Sequence, residues 1–437
     1  MSEQYKVIHD PIHGSIRVDE PFLTILDRPE MQRLRSVRQL GLGSMVFPGA
    51  NHTRFEHSLG VYHLAGRMAS SVGLSEEDSM AVRAAGLLHD ICHTPFSHAT
   101  EEIFENAAGT DHMGMAEKFI KGKIRTHCER DDDLFGDAVP ISEILENSGI
   151  SPDTVCSLIM HHEAKGESFD LFSGGRRPDH FSPKDFVHQI IHGPVDADQM
   201  DYLERDAHYT GVTHGKVDID RLIGTMKVHN SRIMIEKGGT AAAEGLMVAR
   251  SLMYSSVYYH RTVRIVRMML LKSIEASSLE VGRIYLWNDG DLMNYLMEER
   301  GTPSRIARSL RNRILYKKVI TKFTEDTSDE LSSRLSEFTE YGKRKQLETE
   351  IADRAGVSVS DVAVDMPPRH ILLSSMNIGK TDVPILDPEG RVRSLTRLSP
   401  VAKALQSRDT FGWSLMIASP EEHKDAVYKA SKKILSL

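Results

Sequence analysis

The sequence predicts a mainly α protein: a helical body carrying a small α+β lobe towards its C-terminal end. Two observations lead there. Between residues 20 and 313, apolar residues recur at helical spacing in segments parted by Gly and Pro. From about Thr321 the composition changes. A charged stretch with helical spacing, 325–355, is followed by short strand-like runs at 362–366, 383–386, 392–395 and 414–418, and by a closing helix at 421–435. At 437 residues the chain is long for one core, so a division into 1–325 and 326–437 is expected. The 40% hydrophobic and 27% charged fractions are those of an ordinary soluble globular protein.

In order, residues 5–18 read as short extended segments around the turn Asp10-Pro11-Ile12-His13-Gly14. A helix is expected over 20–35. After Gly41-Leu42-Gly43 and the turn Val46-Phe47-Pro48-Gly49, a helix begins near His57, with Leu59, Tyr62, Ala65, Ala69 and Val72 on one side. The helix 76–89 follows. Further helices are expected at 101–104, 112–120 with Asp111 as N-cap, 141–146, 151–161 and 185–191. The Gly-, Ser- and Pro-rich stretch 166–183 reads as a surface loop. Residues 227–236 are expected to form the first strand pair, and 241–277 one long helix. Helices 292–300 and 303–313 complete the body. Asp387-Pro388-Glu389-Gly390 is a hairpin turn in the lobe.

Net charge is 54 − 62 = −8, which argues against a general nucleic-acid binder. Cys92, Cys128 and Cys156 share no metal-type spacing and point to a reducing cytoplasm. No apolar h-region opens the chain and no stretch is apolar enough for a membrane span, so neither secretion nor membrane insertion is expected. The 20 methionines read as core filler.

Chemistry concentrates in Leu87-Leu88-His89-Asp90-Ile91-Cys92-His93-Thr94-Pro95-Phe96-Ser97-His98. Two polar residues ending an apolar helix need partners. An imidazole beside a carboxylate suits iron, manganese, zinc, nickel or magnesium. His57 and Asp198, on other segments, complete a mixed nitrogen and oxygen shell. Each has a simpler alternative, His57 as a core or capping histidine and Asp198 as an N-cap; Asp201 is the next candidate for the fourth position. His93, His98 and His112 are surplus to that shell. They either act on phosphate or sit in hydrogen-bonded loops. Asp198, Tyr202 and Asp206 share one helix face, as do Arg250, Tyr254 and Tyr258.

Taken together, His57, His89-Asp90 and Asp198 resemble the His…His-Asp…Asp signature of the HD-domain phosphohydrolase superfamily. The likeness is closest to the sterile-alpha-motif-and-HD-domain dNTP triphosphohydrolases. It rests on Asp10-Pro11-Ile12-His13-Gly14, Gln32-Arg33-Leu34-Arg35, Gln39-Leu40-Gly41, Val46-Phe47-Pro48-Gly49-Ala50, Arg54-Phe55-Glu56-His57-Ser58-Leu59-Gly60-Val61, Pro95-Phe96-Ser97-His98, Asp201-Tyr202 and Arg205-Asp206. It covers about residues 5–320, an HD helical core with no preceding sterile-alpha-motif domain expected.

The resemblance implies one divalent metal on His57, His89, Asp90 and Asp198, with additional Mg carried by the nucleotide. It implies attack of an activated water on the α-phosphorus of a dNTP, releasing deoxynucleoside and triphosphate. Arg54, His93 and His112 would hold or protonate phosphates, with Asp90 catalytic as well as a ligand. Gln39 and Asp206 would contact the sugar 3′-hydroxyl, Tyr202 and Tyr258 would pack on the sugar, and Arg250 would contact phosphate. His98 would contact substrate or support the loop turned by Pro95. The family's nucleotide effector site implies roles for Lys6, Val7, Asp27, Gln32 and Arg35, and for Arg313 and Lys317, in a homo-oligomer, dimer or tetramer. His9 stands where the family has Asn, Gln199 where it has Lys, and Tyr254 where it has His. Two other functions fit the residues: hydrolysis of another nucleotide phosphoester, and nucleotide sensing without catalysis.

Overall fold

The computed structural model describes residues 5–124, 127, 132–135, 138–160, 186–323, 335, 337–366, 382–406 and 415–436. The expected loop at 166–183, Cys128, and the first part of the charged stretch 325–355 lie outside them. A hairpin comes first: β1 (Tyr5–Asp10) pairs antiparallel with β2 (Gly14–Asp19). The first strand pair therefore precedes the one expected at 227–236. The helix expected over 20–35 is broken into Phe22–Leu26, Pro29–Arg33 and a 3-10 turn, because Pro29 cannot continue a helix and instead starts the next one.

The body is centred on α1 (Arg54–Ser71), α2 (Glu76–Leu88) and α5 (Ala197–Thr210). Glu56 accepts from Thr53 N and Oγ1 and fixes the start of α1. Ser75 caps α2 and Asp196 caps α5. α1 packs on α2 and on α5. Both contacts depend on glycine: a Cβ on Gly86 would lie 3.2 Å from Val61 O, and one on Gly60 would overlap the Asp201 carboxylate and lie 2.6 Å from Arg205 Nη2. Between α2 and α5 come α3 (Glu101–Ala108) and α4 (His112–Ile120), the latter capped by Asp111 as expected.

After α5, β3 (Met226–His229) and β4 (Arg232–Glu236) form the second hairpin. The long helix expected at 241–277 is divided. α6 (Thr240–Met253) passes into a π-helical turn at Tyr254–Tyr258, and α7 (Arg261–Glu275) restarts after His260, whose Nδ1 accepts from Thr262 N. No Pro or Gly marks that break; π-turns of this kind occur at functional sites.

Beyond α7, β5 (Lys317–Lys322), α8 (Tyr341–Ala355), β6 (Ala363–Asp365), β7 (Pro384–Leu386), β8 (Val392–Ser394), β9 (Leu415–Ser419) and α9 (Lys424–Leu435) follow. The Asp387 to Gly390 turn joins β7 to β8 as expected. The lobe has its own core, in which Leu347, Ile351, Val364, Ile417 and Val427 meet under the sheet β5-β9-β6. Residues 383–402 behave otherwise. β7 pairs parallel with β4, and Val383, Ile385, Leu395 and Ala402 join the core of the body. Among the described residues no helix is long and apolar enough to cross a membrane.

Candidate metal and phosphate site

Three helix ends meet in the body. The first turn of α1 brings Arg54 and His57, the end of α2 brings His89 and Asp90, and the first turn of α5 brings Asp198. His57, His89 and Asp90 are buried; the Asp198 side chain is 31% exposed. His57 Nε2 lies 3.0 Å from Asp198 Oδ1 and 3.6 Å from Asp90 Oδ2. His89 Nε2 lies 3.4 Å from Asp90 Oδ1 and 3.8 Å from Asp198 Oδ1.

Neither Nε2 makes a hydrogen bond of acceptable geometry, although both are buried. The opposite ring nitrogens are held from behind: His57 Nδ1 by Asp201 Oδ2 at 2.6 Å, His89 Nδ1 by Gly86 O at 2.9 Å. Rings tied at Nδ1 and aimed inward at Nε2 are how protein histidines present themselves to a metal. The donors of His57, His89 and Asp90 lie within 4.8 Å of one another, so the residues fit one divalent cation. Without a metal, burial opposes charge on His57, but Asp198 and Asp201 outweigh it and raise its pKa to about 10.

The sequence reading missed the layer behind. Asp201 lies at the centre of it, contacted by His57, by His13 Nε2 at 2.7 Å and by Arg205 through two bonds of 2.8 and 2.9 Å. Arg205 reaches on to Asp10 at 2.8 Å, so the turn between β1 and β2 is hooked to the back of His57. Asp201 is therefore placed behind a ligand histidine rather than beside Asp198. Burial opposes ionisation of Asp201, but Arg205 holds it well below the usual carboxylate range.

A second group extends from Asp90. Arg54 Nη1 donates to Asp90 Oδ2, and Arg54 Nε donates to Ser97 Oγ. Arg54 Nη2 is buried with no hydrogen-bond partner among the described residues. His93 Nε2 is 3.2 Å from Asp90 Oδ1, and its ring stacks on His112 at 4.1 Å. Glu101 accepts from His112 Nδ1, and its other oxygen lies 2.7 Å from His98 Nδ1. Burial opposes charge on His112, but Glu101 raises its pKa; burial, then Arg54 and His112, hold His93 well below the usual imidazole range. The pair thus sets a ring whose protonation Glu101 favours against one whose protonation burial and Arg54 oppose.

An HD domain model matches residues 54–206, and an HD associated region model matches residues 217–437. The chain belongs to the HD-domain phosphohydrolase superfamily. An uncharacterised protein of Methanocaldococcus jannaschii is 32% identical over 425 residues, 95% of this chain and 80% of that protein. The deoxynucleoside triphosphate triphosphohydrolase SAMHD1 of Homo sapiens is 31% identical over 287 residues, 61% of this chain and 43% of that enzyme's length. The crystal structure of a phosphohydrolase from Bacteroides thetaiotaomicron shares the fold, with a TM-score of 0.69, 22% identity, and coverage of 96% of this chain and 100% of that one.

The remaining residues expected of an HD phosphohydrolase fall in several places. On the face of α5 that carries Asp198, Tyr202 and Asp206, both oxygens of Asp206 are engaged, at 2.7 Å by His52 Nε2 and by Tyr258 Oη. Tyr202 and Tyr258 meet edge to face at 6.1 Å, and Tyr254 meets Tyr258 at 5.1 Å. Gln39 is buried with Oε1 unpartnered. Arg250 donates to Gln199 Oε1 at 3.2 Å. His98 is 64% exposed at its side chain. The second place is the surface near β1. Lys6 and Asp27 form a 3.9 Å exposed pair, Val7 is exposed, and Arg35 lies over Phe55 while donating to Gln32. Arg313 and Lys317 lie on other elements: Arg313 donates to Met45 O, and exposed Lys317 opens β5.

Proposed function

We propose that this chain is a metal-dependent deoxynucleoside triphosphate triphosphohydrolase, in which water attacks the α-phosphorus and the products are deoxynucleoside and triphosphate. The observation that carries it is the pairing of unpartnered His57 and His89 Nε2 atoms with Asp90 and Asp198, next to the unpartnered Nη2 of Arg54. A divalent ion bound there would supply Lewis-acid activation of water near neutral pH. Arg54 would donate to phosphate oxygens from its free guanidinium edge. His112, whose pKa Glu101 raises, would deliver a proton to the 5′-oxygen as the bond to phosphorus breaks. Neutral His93 would position the α-phosphate between Asp90 and His112. Asp206, Gln39, Tyr202 and Tyr258 would form the sugar pocket, and a ring at Tyr202 would leave no space for a 2′-hydroxyl.

By similarity to the dNTP triphosphohydrolases, we assign Lys6, Val7, Asp27, Gln32, Arg35, Arg313 and Lys317 to a nucleotide effector site in a homo-oligomer. Gln199 and Tyr254, which replace Lys and His, favour one alternative: hydrolysis of another nucleotide phosphoester.

The test is product identity. Metal-loaded protein is incubated with each dNTP, with and without GTP, and products are separated by ion exchange. Nucleoside plus triphosphate supports the assignment. Diphosphate, monophosphate or no product contradicts it, and phosphate released from nucleoside monophosphates supports the alternative.

A further inference from the structure

Away from the metal site, a cavity of about 40 Å³ lies between α7 of the body and α8 and β6 of the lobe, closed on one side by Glu102 of α3. One water needs about 10–15 Å³ of such space, so this one holds several waters or one small ion. Its walls carry four cations, Arg264, Arg267, Lys272 and Arg344, and four carboxylates, Glu102, Glu275, Glu348 and Asp365. The totals balance, but the pairing does not.

Every carboxylate is taken. Asp365 receives Arg264 through two bonds. Glu348 receives Lys272 and Val364 N. Glu275 receives Tyr341 Oη at 2.7 Å, with Lys272 at 3.5 Å. Glu102 receives Arg344 at 2.9 Å. Among the charged residues lining the cavity, Arg267 alone has a side chain that makes neither a hydrogen bond nor an ion pair with any described residue. It is partly buried. Burial, then the like charge of Arg264, pushes its pKa down to about 10, so it remains cationic at neutral pH. A guanidinium offers planar paired donors that match two oxygens of a tetrahedral anion. The cavity is too small for a nucleoside.

We propose that this seam between body and lobe binds a free tetrahedral oxyanion of the inorganic phosphate class on Arg267. Such an ion would rest against α7, α8 and β6 together, and would add a contact between the HD core and the lobe. None of the groups assigned to metal, phosphate or sugar is used, so the site stands or falls apart from the proposed reaction.

Crystals of the full chain soaked in sodium selenate should show an anomalous peak within hydrogen-bond reach of the Arg267 guanidinium. In solution, inorganic phosphate should raise the melting temperature. Arg267→Met, which keeps the aliphatic stem, should remove the peak and weaken phosphate binding about 10–100-fold, as loss of a charge-assisted contact implies. Arg54→Met, which removes the phosphate contact proposed for the active site, should leave the peak and a thermal response that depends on Arg267. Arg267→Lys should retain part of the thermal response if the methionine variant does not fold. Absence of a peak at Arg267 overturns the proposal, as does a phosphate response that survives Arg267→Met in the Arg54→Met protein or vanishes with Arg54→Met alone. Nucleoside density at this position after soaking with a dNTP overturns it as well.

Discussion

The cluster around His57 and the seam around Arg267 are both buried and both ionic, yet they leave opposite atoms over. At the metal site, the ring atoms His57 Nε2 and His89 Nε2 point inward among carboxylates without a hydrogen-bond partner among the described residues. At the seam, each acid is engaged and a guanidinium is in excess. Burial raises the cost of any unmatched polar group, so the sign of the excess indicates the ligand chemistry. The two also differ in support. His57 is held by Asp201, Arg205 and Asp10, drawn from two distant parts of the chain, and His89 by the nearby Gly86 O. The seam is held by pairs that each join one body residue to one lobe residue, as Lys272 to Glu348 and Arg264 to Asp365.

The largest effect expected is at the metal site. Asp198→Ala should bring metal content, by elemental analysis, and hydrolysis down to background while the far-UV spectrum is retained. Metal bound as before would show that the fourth ligand lies elsewhere and would break the comparison at its first term.

Next come the supports. Arg205→Met leaves Asp201 and Asp10 buried without their cation, and should cost about 3–5 kcal/mol in denaturant unfolding. Arg264→Met should cost a similar ~3–5 kcal/mol by stranding Asp365, whereas the double variant Arg264→Met/Asp365→Leu should return close to wild type. Equal losses in the single and double variants would show that packing, not the stranded charge, sets the cost.

Asp289 tests a carboxylate held only by backbone. It accepts from Phe96 N at 2.7 Å and Arg38 N at 3.1 Å, and so fixes the turn that carries Ser97 to Arg54. Burial pushes its pKa up to about 6 despite those bonds. The folded state therefore holds its proton to higher pH than the unfolded state. The resulting stability is full below about pH 4 and is lost as pH rises to about 6, an effect on the order of 2–3 kcal/mol. Asp289→Asn should lack that slope; an unchanged slope assigns it to other groups.

The smallest effect is expected in the sugar pocket. Tyr258→Phe removes the donor to Asp206 Oδ2 and should lower kcat/KM for dNTPs about 10-fold, with unfolding midpoint little changed. No change would remove Tyr258 from the pocket.

What the sequence displayed of all this follows distance along the chain. His89-Asp90 was legible because two polar neighbours end an apolar helix, and the α5 face was legible because Asp198, Tyr202 and Asp206 repeat every four residues. The role of Asp201 and Arg205 was not, since their partners His13 and Asp10 lie 188 and 195 positions away. The lobe strands were readable from local pattern, but the parallel pairing of β7 with β4 was not, since nothing local specifies a partner 150 residues upstream. The break between α6 and α7 escaped because a π-turn changes the hydrogen-bond step without a breaker residue. Arg54, buried at 3% exposure, was assigned to phosphate through resemblance alone; its contact with Asp90 becomes visible only in three dimensions.

The central claim is that water attacks phosphorus and the bond from phosphorus to the 5′-oxygen breaks. Hydrolysis of a dNTP by the metal-loaded chain in ¹⁸O-labelled water tests it, with both products analysed by mass spectrometry. Label in the triphosphate and none in the deoxynucleoside is the result predicted. Label in the deoxynucleoside would place the attack at carbon and contradict the account.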